Sequence, residues 1–234
     1  MIKNNELLLE ICKISILAGD EILQIYNEEI EVVQKEDLTP LTKADIASNK
    51  IILRSLVAID NSIPVLSEES IVNWNKRKKW NKYWLVDPLD GTKEFIKKNG
   101  EFTVNIALIE NNKPILGVIY IPTKSTLYFA QQNFGSFKIN ITSELKSLDG
   151  AKKISVSNQK TIERVIGSRS HSNKDFDNWI KNNFPNSGIV QAGSSYKFCL
   201  IAEGAADIYP RFGPTSEWDI AAGHIIVKEA GGDV

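Results

Sequence analysis

Apolar residues recur at helical spacing through residues 6–26, ELLLEICKISILAGDEILQIY, and predict a long amphipathic helix near the start of the chain. After a polar stretch through Pro40, TKADIASNKIILRSLVAI (42–59) predicts a second helix, with Thr42 and Asp45 spaced as a capping box. IPVLSEES (63–70) reads as a short strand that ends in acids. From 83 to 130 the pattern turns to strands, YWLV, TVNIALIE, ILGVIYIP and TLYFA, with NNKP and PTKS as turns, and GSFKINITSELKSLDG continues it. Near 150 the texture changes. RVIGS (164–168) reads as a buried strand, SNKDFDNWIKNNF (172–184) as a helix, and GIVQAGSSYKFCLIAEGAAD as a strand then a helix. ADIYPRF is strand-like, and WDIAAGHIIVKEAGG (218–232) predicts a last helix. The pattern therefore divides into an antiparallel-rich α+β half, 1–150, and an α/β half, 151–234. The glycines of AGGDV suit a helix end, and a further strand is expected after them.

Composition changes this picture little. The 234 residues are 42% hydrophobic and 24% charged, as in ordinary globular proteins. With 28 basic and 29 acidic residues the net charge is −1, so no field of one sign argues for nucleic acid. The basic, aromatic run NWNKRKKWNKYW (73–84) is read as a solvated connector with tryptophan packing anchors. No apolar run approaches the roughly 20 residues of a membrane helix, and MIKNNELLLEICK lacks the features of a signal peptide. Cys12 and Cys199 lie among apolar residues and are expected to be buried free thiols, which fits a reducing cytoplasm. His171 and His224 stand in no zinc-like spacing with them.

Candidate chemistry gathers at WLVDPLDGTKEF (84–95), where Asp87 and Asp90 flank a proline just after an apolar run. Pro88 is expected to end ladder bonding, and Gly91 to permit a tight turn. Two carboxylates converging there repel unless a proton or cation lies between them. Mg²⁺ suits such oxygen ligands; a turn with Asp at capping positions is the plain alternative. Glu68 and Glu69 end the preceding strand, Asp45 stands in the capping box, and Asp219 begins the last helix, where an N-cap is its ordinary role. Together these acids suggest a metal-assisted phosphoryl-transfer site.

SEE (67–69), WLVDPLDGTKEF and GSSYKFCLIAEGAADIYPRFGPTSEWDIAAGHIIVKEAGG closely resemble the inositol monophosphatase superfamily of Mg²⁺-dependent, lithium-sensitive phosphatases. The D-P-[LI]-D-G-T and W-D-[IVL]-A motifs carry the likeness, which covers the chain from about Thr42 onward. The resemblance implies an αβαβα layered sandwich and two or three Mg²⁺ ions. It implies metal ligands at Glu68, Asp87, the Leu89 carbonyl, Asp90 and Asp219, with Asp87 bridging. It implies a Thr92 hydroxyl bonded to Asp45 that, with Glu68, activates water. Amides of Gly91 and Thr92 would donate to phosphate oxygens.

Charge narrows the ester. A second phosphate calls for Lys or Arg donors. GSRSH (167–171) offers Ser168, Arg169, Ser170 and His171 as an anion cradle, and GSSYKF (193–198) offers Gly193, Ser194 and Lys197 at a helix start. Arg211 occupies the position where inositol phosphatases carry an acid. These features resemble the 3′(2′),5′-bisphosphate nucleotidase branch, which converts adenosine 3′,5′-bisphosphate to AMP and phosphate in sulfate assimilation. For Arg169 and Arg211 a surface salt bridge is the ordinary alternative. An inositol-1-phosphate phosphatase and a non-catalytic metal- or nucleotide-binding protein are the competing readings. The expected partner is a phosphorylated nucleotide, without nucleic acid or an integral membrane segment. The expected state is a monomer or homodimer in the cytoplasm, with peripheral attachment to the inner face of the membrane left open.

Overall fold

The computed structural model describes residues 6–28, 32–34, 40–169 and 174–234. The chain opens with α1, Glu6–Tyr26, whose buried stripe includes Leu8, Ile11, Cys12, Ala18 and Ile22. The short strands β1, Val32–Gln34, and β2, Pro40–Thr42, pair antiparallel. They lead into α2, Lys43–Ile59, where Thr42 and Asp45 form the expected capping box. β3 (Val65–Ser67), α3 (Trp74–Arg77) and β4 (Lys82–Asp90) follow, and then α4 (Thr92–Ile96). A meander comes next: β5 (Thr103–Glu110), β6 (Lys113–Ile121), β7 (Thr126–Gln131), β8 (Gly135–Asn140) and β9 (Lys152–Ile154). These seven strands form one sheet in the order β3-β4-β5-β6-β7-β8-β9, parallel between β3 and β4 and antiparallel elsewhere. β9 belongs to this sheet, so the change of texture near 150 falls inside the layer.

The remainder comprises β10 (Arg164–Ser168), α5 (Lys174–Asn183), β11 (Gly188–Ala192), α6 (Tyr196–Ala202) and α7 (Glu217–Glu229). β10 and β11 pair in parallel. The strand-like ADIYPRF contributes only one bridge, Ile208 to Val165. Alternation along the large sheet sets the layers. Trp84, Val86, Ile106, Leu108, Val118 and Phe129 face α1 and α2. Leu85, Ala107, Ile109, Ile119 and Ala130 face α6 and α7, packing on Cys199, Ala222 and Ile226. Ile166 and Ala192 pack against Leu200 from the far side of α6, while Phe176 of α5 lies against Gly167 on the outer face of β10. Helix, sheet, helix, sheet, helix is the layered architecture expected from the sequence.

Two local expectations change. β4 does not stop at Pro88. It runs through Asp90 with a bulge, because Asp87 pairs Asn105 and Asp90 pairs Thr103, three steps against two. A proline is tolerated where the ladder is already broken. In the connector, Trp80 packs against the core beside Tyr83, but Trp74 is 62% exposed and lies under the Arg77 guanidinium instead of in the core. Both cysteines are buried and free. Among the described residues, no helix is long and apolar enough to cross a membrane.

Candidate active site

The site grows from the α7-facing side of β4 and β5. Asp87 follows Leu85 on that face, and its register partner Asn105 precedes Ala107. Parallel pairing of β3 with β4 sets Glu68 beside Asp87, with the Glu68 amide bonded to the Val86 carbonyl at 3.1 Å. The bulge turns Asp90 toward the start of α6. There its Oδ2 accepts from the Ser195 amide and, at 3.4 Å, from Asn105 Nδ2. The Leu89 amide donates to Asp87 Oδ1 at 3.1 Å, and Ser48 Oγ donates to the Pro88 carbonyl at 2.7 Å, tying α2 to the motif. Gly91 closes the turn at φ +91°, where a Cβ would stand 3.1 Å from both the Glu101 carbonyl and Ser194 Cβ.

Asp45 and Asp219 each serve a helix and face the site. Asp45 Oδ2 takes both Thr42 donors, the amide at 2.7 Å and the hydroxyl at 2.6 Å, while Oδ1 accepts from Thr92 Oγ1 at 3.2 Å. The capping reading and the Thr92 contact therefore hold together. Asp219 is not the N-cap. Ser216 is, and Asp219 is the acid of its capping box, its Oδ2 accepting from the Ser216 amide at 2.9 Å and Thr215 Oγ1 at 3.0 Å. The three-residue spacing from Ser216 imposes that geometry.

Glu68, Asp87, Leu89, Asp90, Gly91, Thr92, Ser168, Gly193, Ser194, Lys197, Arg211 and Asp219 all line one cleft of about 240 Å³. Chain segments more than a hundred residues apart thus meet. Burial first, then the charges of Asp90, Glu68 and Asp219, push the Asp87 carboxyl well above the usual carboxylate range. Burial and the neighbouring Asp219 push Asp90 up to about 7, against the opposing pull of Lys197. Lys197, 5% exposed, is itself lowered by burial, with the Asp90 charge working the other way.

Among the described residues, no three Asp, Glu, His or Cys side chains close on one point tightly enough to hold a metal ion as they stand. The acids form an open wall. The donor set still fits a hard divalent cation: every donor is oxygen, and the ionised carboxylates are penalised by one another in a way a cation relieves.

Arg169 departs from its predicted place. It is not among the residues lining the cleft. Its guanidinium is paired with Glu101, Nε to Oε2 at 2.7 Å and Nη2 to Oε1 at 2.9 Å. Residues 170 and 171, the rest of the SRSH reading, lie outside the described residues. Sequence reasoning missed Asn105 and Ser195. Ser195 Oγ donates to Asn105 Oδ1 at 2.6 Å and lies 2.8 Å from Thr103 Oγ1, a buried network under Asp90. One signal existed: Asn105 is the lone amide inside the apolar run TVNIALIE.

Comparison with known proteins identifies the family. The sequence model of the inositol monophosphatase family matches residues 4–234. The chain is 50% identical over 231 residues to the 3′(2′),5′-bisphosphate nucleotidase CysQ of Buchnera aphidicola, covering 98% of this chain and 84% of that one. It is 45% identical over 230 residues to the protein of the same name from Salmonella typhimurium, covering 97% and 89%. The crystal structure of CysQ from Bacteroides thetaiotaomicron superposes with a TM-score of 0.86 at 38% identity, over 99% of this chain and 89% of that one. With the match spanning nearly the whole chain and the layered sandwich in place, this protein belongs to the inositol monophosphatase family.

Proposed function

We propose that the chain hydrolyses the 3′-phosphate of adenosine 3′,5′-bisphosphate to AMP and phosphate, with Mg²⁺ held by Glu68, Asp87, the Leu89 carbonyl, Asp90 and Asp219. The observation that carries the reading is the composition of one cleft, lined by the acids Glu68, Asp87, Asp90 and Asp219 together with Lys197 and Arg211. A monoester of a neutral polyol needs no cation beyond the metal, whereas a bisphosphate brings a second dianion for which Lys and Arg are the natural donors. The name borne by relatives at 45 and 50% identity supports the same choice, and so does a base at Arg211 where inositol phosphatases carry an acid. The place of the reaction in sulfate assimilation goes with that reading.

Mg²⁺, when bound, polarises the phosphoryl oxygens and lowers the pKa of water. The chain's own residues do the rest. Thr92 Oγ1 donates to Asp45 Oδ1, so Thr92 can take a proton from the attacking water as it passes its own to Asp45. Glu68 orients that water from the neighbouring strand. The new P–O bond forms as the bond to the nucleoside oxygen breaks, and that leaving oxygen, on the side assigned to Asp219, takes a proton from solvent water. The Gly91 and Thr92 amides, at the start of α4, are assigned to donate to phosphate oxygens.

A substrate panel of adenosine 3′,5′-bisphosphate, myo-inositol 1-phosphate and a simple aryl phosphate, with Mg²⁺ and Li⁺ titrations, tests this. The expected outcome is Mg²⁺-dependent, Li⁺-inhibited release of phosphate, fastest by kcat/KM from the bisphosphate. Preference for the inositol ester would overturn the choice of substrate, and nucleotide binding without phosphate release would overturn the enzyme.

A further inference from the structure

The GSS turn between β11 and α6 supplies three groups to the cleft, Gly193, Ser194 and, one turn later, Lys197. It also supplies the Ser195 amide to Asp90. Ser195 ties the end of this turn to the acid-bearing half through Asp90, Asn105 and Thr103. The start of the turn, at Gly193, is held by Glu101, in the loop between α4 and β5. Its Oε2 accepts from the Gly193 amide at 2.7 Å, and both its oxygens accept from Arg169. Arg169 in turn reaches the Gln191 carbonyl through Nη2 at 2.8 Å, and its amide bonds the Ala192 carbonyl at 3.3 Å. One carboxylate therefore gathers the end of β10, the end of β11 and the start of the GSS turn.

The Glu101 side chain is 13% exposed, so it exchanges little of this network for water. Its backbone is anchored on both sides. Phe102 is fully buried, the Glu101 amide bonds Asn99 Oδ1 at 3.0 Å, and Thr123 Oγ1 holds the Gly100 carbonyl at 2.6 Å. Contact at Gly193 is close enough to require glycine: a Cβ there would stand 2.6 Å from Glu94 Cγ and 3.0 Å from the Glu101 carbonyl.

We propose that Glu101 is a positioning residue that locks the GSS turn onto the acid-bearing half, and that Arg169 acts through Glu101 rather than on substrate phosphate. The role in substrate binding rests on the reading of the cleft given above. A turn released by loss of Glu101 must be ordered again when substrate binds, which weakens binding by the cost of that ordering. Asp90 keeps its bond to Asn105 on the same sheet, so the chemical step is spared and the loss falls on KM.

The experiment is a cycle of Glu101→Ala, Arg169→Ala and the double variant in the full chain, with Glu101→Gln as the conservative control. Each is read by kcat and KM for adenosine 3′,5′-bisphosphate, by AMP affinity, by hydrogen exchange over residues 191–196 and by thermal melting. Glu101→Ala is expected to raise KM and weaken AMP about tenfold, with kcat within about twofold. Exchange in the turn should rise by a similar factor. Arg169→Ala should do less, because the Gly193 bond survives it. The double variant should be no worse than Glu101→Ala, and Glu101→Gln, which keeps an acceptor for Gly193, should recover part of the loss. A larger effect from Arg169→Ala than from Glu101→Ala, with the double worse than either, would mean that Arg169 binds phosphate itself and would overturn the proposal. Unchanged exchange in the Glu101→Ala turn would overturn it equally, whatever the substrate. Failure of the bisphosphate as substrate appears in the wild-type protein alone, and so is told apart from failure of the clamp.

Discussion

Replacing Asp90 with asparagine removes one negative charge from the acid wall while keeping the shape and an oxygen acceptor for the Ser195 amide. Its carboxyl is held at about 7, chiefly by burial and the Asp219 charge. Near pH 4 the folded protein keeps this group neutral. As pH rises, the unfolded chain loses the proton near the ordinary 3.8 and the folded chain only near 7. The metal-free fold therefore loses stability between about pH 4 and pH 7 and levels off above. At about 1.4 kcal/mol per pH unit the full cost reaches about 4 kcal/mol, and water entering the cleft reduces it to about 2. Asp90→Asn should then raise the Tm of the metal-free protein at pH 8 by at least about 4 °C, with little change at pH 4. Mg²⁺ should stabilise the wild type at pH 8 and the variant far less, since the cation relieves the repulsion the substitution has already removed. Scanning calorimetry at the two pH values, with and without Mg²⁺, measures both. A variant equally destabilised at pH 4 and pH 8 would refute the claim that the acids repel one another in the fold.

Two further outcomes test the site's construction. Arg211→Ala should raise KM for the bisphosphate about tenfold while changing that for an aryl phosphate by less than about twofold; equal effects in steady-state kinetics would remove Arg211 from the specificity groups. Gly91→Ala forces a side chain into φ +91° against the Glu101 carbonyl and should cost about 1–3 kcal/mol in urea unfolding, so an unchanged midpoint would contradict the strained turn.

Local pattern was enough for the elements that satisfy themselves locally. The apolar stripe of α1 needs only its own period. The Thr42–Asp45 box needs only three residues of spacing, and strands β4 to β7 are apolar on both faces because helices cover both. The acid motif was legible for a related reason: like charges crowded into DPLDG are costly without a cation, and that cost is visible in the composition of five residues. The bulge at Pro88 was not, because the broken ladder depends on what β5 offers opposite.

Three-dimensional packing alone fixes the partners of charges that can point several ways. An arginine between two serines after a buried strand predicts an anion; the nearest anion in space is Glu101, 68 residues away. Ser195 under Asp90 is a contact across 105 residues, and the long side chains of Arg169 and Lys197 reach too far for spacing along the chain to say where they end. Periodicity reports which face of an element is buried, and it carries no information on which distant element arrives to cover it.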